Sequence, residues 1–164
     1  GPRYVPDAHG YNPLMLTALL LTALLSLQQH QMGADVMGFD QEKTTHHFRL
    51  YEDGGAIDVS VNDAADTKNR DAIRSHLPHI AMMFGMGNFE APMLVHKRDV
   101  PGTKELAALK DKVRYTYVET PKGGRVDIVT TDKAALEAVY TFLRFQIADH
   151  KTADDGKITK RPRA

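Results

Sequence analysis

The chain of 164 residues carries 21 basic and 21 acidic side chains and no cysteine. The balanced charge leaves no global field to draw in nucleic acid or an anionic membrane, and the missing thiols exclude disulfides, thiolate nucleophiles and cysteine-ligated zinc or iron–sulfur sites. A metal would have to sit on nitrogen, oxygen or thioether, and the eight His and seven Met supply two of those ligand types.

A chain of this length buries one core of ordinary size, so one folded domain is expected. Residues 1–14 read as a tag or upstream residues, because Met15 stands directly before an apolar run and has the place of an initiator. That run, residues 16–27, is too short for a membrane span of ~20 residues and suits the core of a signal peptide. Segment 1–27 is therefore read as upstream residues plus an export signal, which places the mature chain in the periplasm or outside the cell with no stable membrane span. No Lys or Arg follows Met15 before the run and no small-x-small site stands after Leu27, so a buried or interfacial helix is the alternative. Residues 28–42, polar and broken by Gly33 and Gly38, read as a flexible lead-in that also holds His30, Met32 and Met37.

Strict alternation then predicts strands over 45–52 and 56–62, with Asp53-Gly54-Gly55 as the turn between them. A helix follows over 67–85, with Asp66 as a cap and apolar groups at Ile73, Leu77, Ile80 and Phe84. Pro78 should kink it near His76 and His79. A shorter helix over 103–112 leads to strands 113–119 and 125–131 around Pro121-Lys122-Gly123-Gly124. A last helix, 133–149, follows Thr131-Asp132 and repeats apolar groups at Leu136, Val139, Leu143 and Ile147. Residues 151–164 have one aliphatic anchor, Ile158, and no period, and read as a disordered tail with a solvated basic tip.

The two hairpin segments repeat one another. Residues 48–59 return 69 positions later as 117–128, and residues 71–77 align with 137–143 at an offset of 66. Segment 43–150 is thus expected to be a single α+β domain made from a duplicated ββα unit, a four-stranded antiparallel sheet with helices on one face. The period of two puts Phe48, Leu50, Ile57, Val59, Val61, Val113, Tyr115, Tyr117, Val126 and Ile128 on the helix side.

A repeat supplies its own control, because positions shared by both halves serve the fold and departures point elsewhere. His76 stands where the second half has Phe142, and His79 where it has Phe145. Spaced three apart on a helix, these two share a side that Met83 and Met86 continue, so a transition-metal site is conceivable there, with copper(I) favoured by the thioethers. Parity points His46 rather than His47 toward the helices, and His150 ends the last helix, which completes a ligand set of His46, His76, His79, Met83 and His150. The alternative is that these are hydrogen-bonded structural histidines, His150 capping carbonyls and the methionines filling core. On the opposite sheet face, His47, Arg49, Asp58, Arg114 and Asp127 form either a ligand face or a solvated set of cross-strand ion pairs. His47 and Asp58 would be the base and its carboxylate in a hydrolase or lyase.

The segments 37–41, 44–48, 54–57, 73–77 and 142–147 resemble a family of small exported bacterial proteins without an established role, over about residues 30–152. Members have sometimes carried the label aspartate carbamoyltransferase, which this chain does not support: it is too short for a two-domain carbamoyl-phosphate site and has no Ser-Thr-Arg-Thr-type phosphate loop. The resemblance implies location and fold and no mechanism. The expectation is an exported binding domain, with copper or another transition metal as ligand. A protein or small ligand on the polar sheet face is the second reading and an enzyme the third.

Overall fold

A computed structural model describes residues 37–92 and 98–163. The export-signal region and the lead-in up to residue 36 lie outside the described residues.

The domain is α+β. Strand β1 (Thr44–Tyr51) and β2 (Gly54–Val61) form a hairpin, followed by helix α1 (Thr67–Gly85) and a short helix α2 (Thr103–Ala108). A second hairpin, β3 (Val113–Thr120) and β4 (Gly123–Thr130), leads into helix α3 (Lys133–Asp149) and a two-residue strand β5 (Ile158–Thr159). The sheet runs in the order β3-β4-β2-β1-β5 and is antiparallel except for β5, which lies parallel to β1. It is therefore a mixed five-stranded sheet rather than the four-stranded antiparallel one expected. Two residues are too few to generate an alternation, so β5 is invisible to a periodicity argument; backbone bonding to the open edge of β1 makes it a strand.

The hairpin registers correspond. Thr44 pairs with Val61 as Val113 pairs with Thr130, and Phe48 pairs with Ile57 as Tyr117 pairs with Val126. At the central β2–β4 seam Ile57 pairs with Val126, its own counterpart 69 positions on. The two hairpins are thus related by a local two-fold at that pair.

The turns are Glu52-Asp53 and Pro121-Lys122, and the glycine pairs expected to make them lie in the strands instead. Gly54 at φ 142° and Gly123 at φ 159° sit where a Cβ would fall on the carbonyls of Ile128 and Val59 respectively. The glycines let the two central strands close upon each other, which requires the missing side chain more than a turn does.

Each long helix lies mainly on the hairpin that does not directly precede it. Helix α1 packs chiefly on β3 and β4, and α3 on β1 and β2. Asp66 and Asp132 cap the two helices by accepting hydrogen bonds from Asn69 N (3.1 Å) and Ala135 N (2.9 Å). The crossing is pinned on both sides. Arg74 of α1 donates to Thr120 O (2.8 Å), and Tyr140 of α3, the counterpart of Arg74, donates to Tyr51 O (2.8 Å), the counterpart carbonyl.

The helix-side strand residues are buried as the alternation requires, Tyr115 and Tyr117 only partly. In α1 the buried positions include Ile73, Leu77, Ile80 and Phe84, and the helix continues through Pro78, which is exposed. In α3 Leu136 and Ile147 are half-buried, while Ala135, Ala138, Phe142 and Gln146 are buried with Val139 and Leu143. The apolar stripe is wider than its sequence pattern because α3 meets α2 as well as the sheet.

Candidate functional site

Two places gather chemistry, one under the helices and one on the opposite sheet face. The first is a cavity of about 60 Å³ walled by Phe48, Ile57, Val59, Leu77, Ile80, Phe84 and Phe142, with Met37, His46, Gln146 and His150 among its lining. At ~15 Å³ for each water, that is room for about four waters, which admits an ion or a very small molecule and excludes a heme or a nucleotide.

His46 reaches it because alternation along β1 turns residue 46 to the same side as Phe48 and Leu50, and His150 because it follows α3 directly. The His46 and His150 rings stack, with centroids 5.5 Å apart and planes 20° from parallel, and Phe48 lies 5.5 Å from the His150 ring. Phe39 bridges to the third histidine, 6.0 Å from the His46 ring and 5.9 Å, edge-on, from His76. Burial, reinforced by the neighbouring His150, His47 and His76, lowers the His46 pKa to about 4, so its imidazole is neutral at physiological pH. Burial also lowers that of His76, whose Nε2 is buried with no hydrogen-bond partner among the described residues.

The expected ligand set is thus divided. His46 and His150 meet at the cavity and His76 stands beyond Phe39, whereas His79 is exposed and Met83 half-buried, and neither lines the cavity. Met37 and Gln146 do line it. In the sequence Met37 shows only as part of the lead-in and of the segment 37–41 that carries the resemblance. Among the described residues no three His, Asp or Glu side chains are grouped so as to hold a metal ion.

On the polar face the carboxylate partner of His47 is Asp154, not Asp58. Asp154 lies 3.0 Å from His47 Nδ1 and its other oxygen accepts from Phe48 N at 3.0 Å. Asp58 lies 3.5 Å from Arg49, and burial raises its pKa. Asp127 accepts both Nε (3.0 Å) and Nη2 (3.2 Å) of Arg125, while Arg114 is exposed on the edge strand β3.

The segment read as a disordered tail runs along this face. Thr159 O accepts from Glu52 N at 2.9 Å, and Arg161 lies against Tyr51, Asp53 and Asp127. The face is therefore partly covered by the chain itself, and Tyr51, on the polar side by parity, is buried. No sequence signal marked Asp154 or Arg161, because the partners of their side chains lie 106 or more and 33 or more residues away.

No helix among the described residues is long and apolar enough to cross a membrane. Comparison of the chain with known protein families, with curated proteins and with solved structures finds no match.

Proposed function

We propose that this is a non-catalytic binding domain that takes one soft metal ion, copper(I), at the mouth of the cavity between sheet and helices, with His46 and His150 as imidazole ligands and Met37 as a thioether ligand. The carrying observation is the stacked His46–His150 pair over an apolar cavity that Met37 also lines. A neutral His46 needs no proton removed before it coordinates, which favours binding at neutral pH. Among the described residues no carboxylate lines the cavity, so an ion there keeps its charge. A monovalent ion costs less in such surroundings than a divalent one, and thioether favours copper(I) over zinc. His79 and Met83 drop out of the ligand set and His76 takes an outer place.

The test is a copper(I) titration under reducing conditions against a chromogenic chelator. One equivalent should be withheld from the chelator by the unchanged chain and by His79→Ala, and none by His46→Phe or His150→Ala chains that remain folded by circular dichroism. Equal withholding by all four, or none by the unchanged chain, defeats the reading.

The equivalent registers, caps and crossed helix anchors support reading the domain as a duplicated ββα unit to which β5 was added. The apolar run at 16–27 and the family resemblance support export.

A further inference from the structure

The most completely satisfied side chain on the polar face belongs to a thinly held segment. Nε of Arg161 donates to both oxygens of Asp53 at 3.0 Å, Nη1 donates to Asp127 at 2.8 Å, and Nη2 donates to Gly55 O at 3.1 Å and Ile128 O at 2.9 Å. The guanidinium carbon stands 4.5 Å from the centre of the Tyr51 ring. Four of a guanidinium's five N–H groups are thereby matched, with an aromatic ring against its carbon, an arrangement an ammonium cannot reproduce. Arg125 holds the same carboxylate, its Nε donating to the Oδ1 that Arg161 also uses and its Nη2 to Oδ2.

The residues that carry Arg161 are held far less closely. Lys157, Ile158, Thr159 and Lys160 are all exposed, and their ladder to β1 is two residues long. The sheet thus grips the guanidinium more than the chain that bears it.

The repeat argues that this cage is not a by-product of the fold. The counterparts of Tyr51 and Asp53, 69 positions on, are Thr120 and Lys122, and that of Asp127 is Asp58. The symmetry-related place thus offers a cation and no aromatic ring, and could not hold an arginine. Departure from the repeat falls on two of the residues that make the cage.

We propose that Tyr51, Asp53 and Asp127, with the carbonyls of Gly55 and Ile128, form an arginine-recognition site. Its ligand is the arginine of an extended basic peptide that adds in parallel to the edge of β1, and Arg161 occupies it in cis. Strand addition at an open edge supplies backbone bonds, as Thr159 does now, and the cage supplies the specificity. Because the tethered segment acts at an effective concentration in the millimolar range, a peptide in trans meets a closed site until Arg161 leaves it.

The test uses the full chain carrying Arg161→Ala and a labelled peptide with the sequence of residues 157–163, followed by fluorescence anisotropy. The variant should bind this peptide at least about tenfold more tightly than the unchanged chain does, because the tethered competitor is gone. A peptide carrying Arg161→Lys and Arg163→Lys should bind at least about tenfold more weakly, since the lysine head lacks the planar fork. Adding Asp127→Asn to the variant should abolish the difference between the two peptides. Equal binding by variant and unchanged chain, equal binding of the arginine and lysine peptides, or no binding to the folded variant at about 1 mM peptide overturns the proposal. If Arg161→Ala does not fold, Arg161→Lys in the chain keeps the charge while loosening the cage, and the same comparisons apply.

Discussion

At the scale of single residues, His46 gives the clearest case of position setting chemistry. An imidazole in water titrates near 6.5, whereas beneath the helices, beside His150, His47 and His76, its pKa falls to about 4. Between those values the unfolded chain binds a proton that the folded, metal-free chain refuses. Stability should therefore fall as pH drops from 6.5 toward 4, by about 3 kcal/mol in total, with no contribution from this group above that window. Urea denaturation at steps from pH 7 to pH 4.5 measures it, and His46→Phe should remove most of the slope. His76, held down by burial as well, keeps part of it. A slope unchanged in His46→Phe would assign the effect elsewhere. Parity had singled out His46 over His47, and the structure has them on opposite faces, His46 at the cavity and His47 with Asp154. The carboxylate expected for His47 was Asp58, its partner across the hairpin. Asp154, brought in along the edge from the far end of the chain, made the pair instead.

Among the elements, the two hairpins show how a strong pattern can be read in the right place with the wrong purpose. The glycine pairs looked like turns because glycine adopts positive φ at no steric cost. They begin β2 and β4, at the places where each central strand passes against the other's carbonyls. Gly123→Ala would place a methyl on Val59 O and strain a backbone at φ 159°, with backbone rather than a flexible side chain as the obstacle. We expect a loss of about 2 kcal/mol or more, read from the urea midpoint. A loss within about 0.5 kcal/mol, as for an ordinary surface substitution, would show that the strands have room to separate. Helix boundaries were more legible than turns. Asp66 and Asp132 each satisfy a free amide of the first turn, and a helix needs that group whatever packs above it.

Across the whole molecule, the crossing of helices decides how the domain holds together. Because α1 lies mainly on the second hairpin and α3 mainly on the first, each helix buries the other hairpin's apolar face more than that of the hairpin just before it. Residues of both segments meet in one core, where Leu77 of α1 comes up against Gly124 of β4 and Leu143 of α3 against Gly55 of β2. Unfolding should accordingly be a single transition, with tyrosine fluorescence and far-ultraviolet circular dichroism giving the same midpoint in urea. A fragment spanning residues 43–92 should be unfolded alone, by amide dispersion in NMR. Two separated transitions, or a folded fragment, would mean that the units are independent.

Sequence alone determined the features that depend on neighbours along the chain. The alternation of β1 to β4, the caps and the apolar stripe of α1 are all local, since backbone geometry turns spacing directly into direction. It also nominated His46 and His150, one by parity and one by its place after α3, along with His76, His79 and Met83. Only tertiary structure decided which groups meet across distance: His46 against His150, Met37 beside them, Asp154 against His47, and Arg161 between Asp53 and Asp127. Those encounters depend on how the helices cross and on the path of the last residues. A two-residue strand and one well-matched guanidinium leave no period for a sequence to display, yet they partly cover the polar face that alternation alone would leave open.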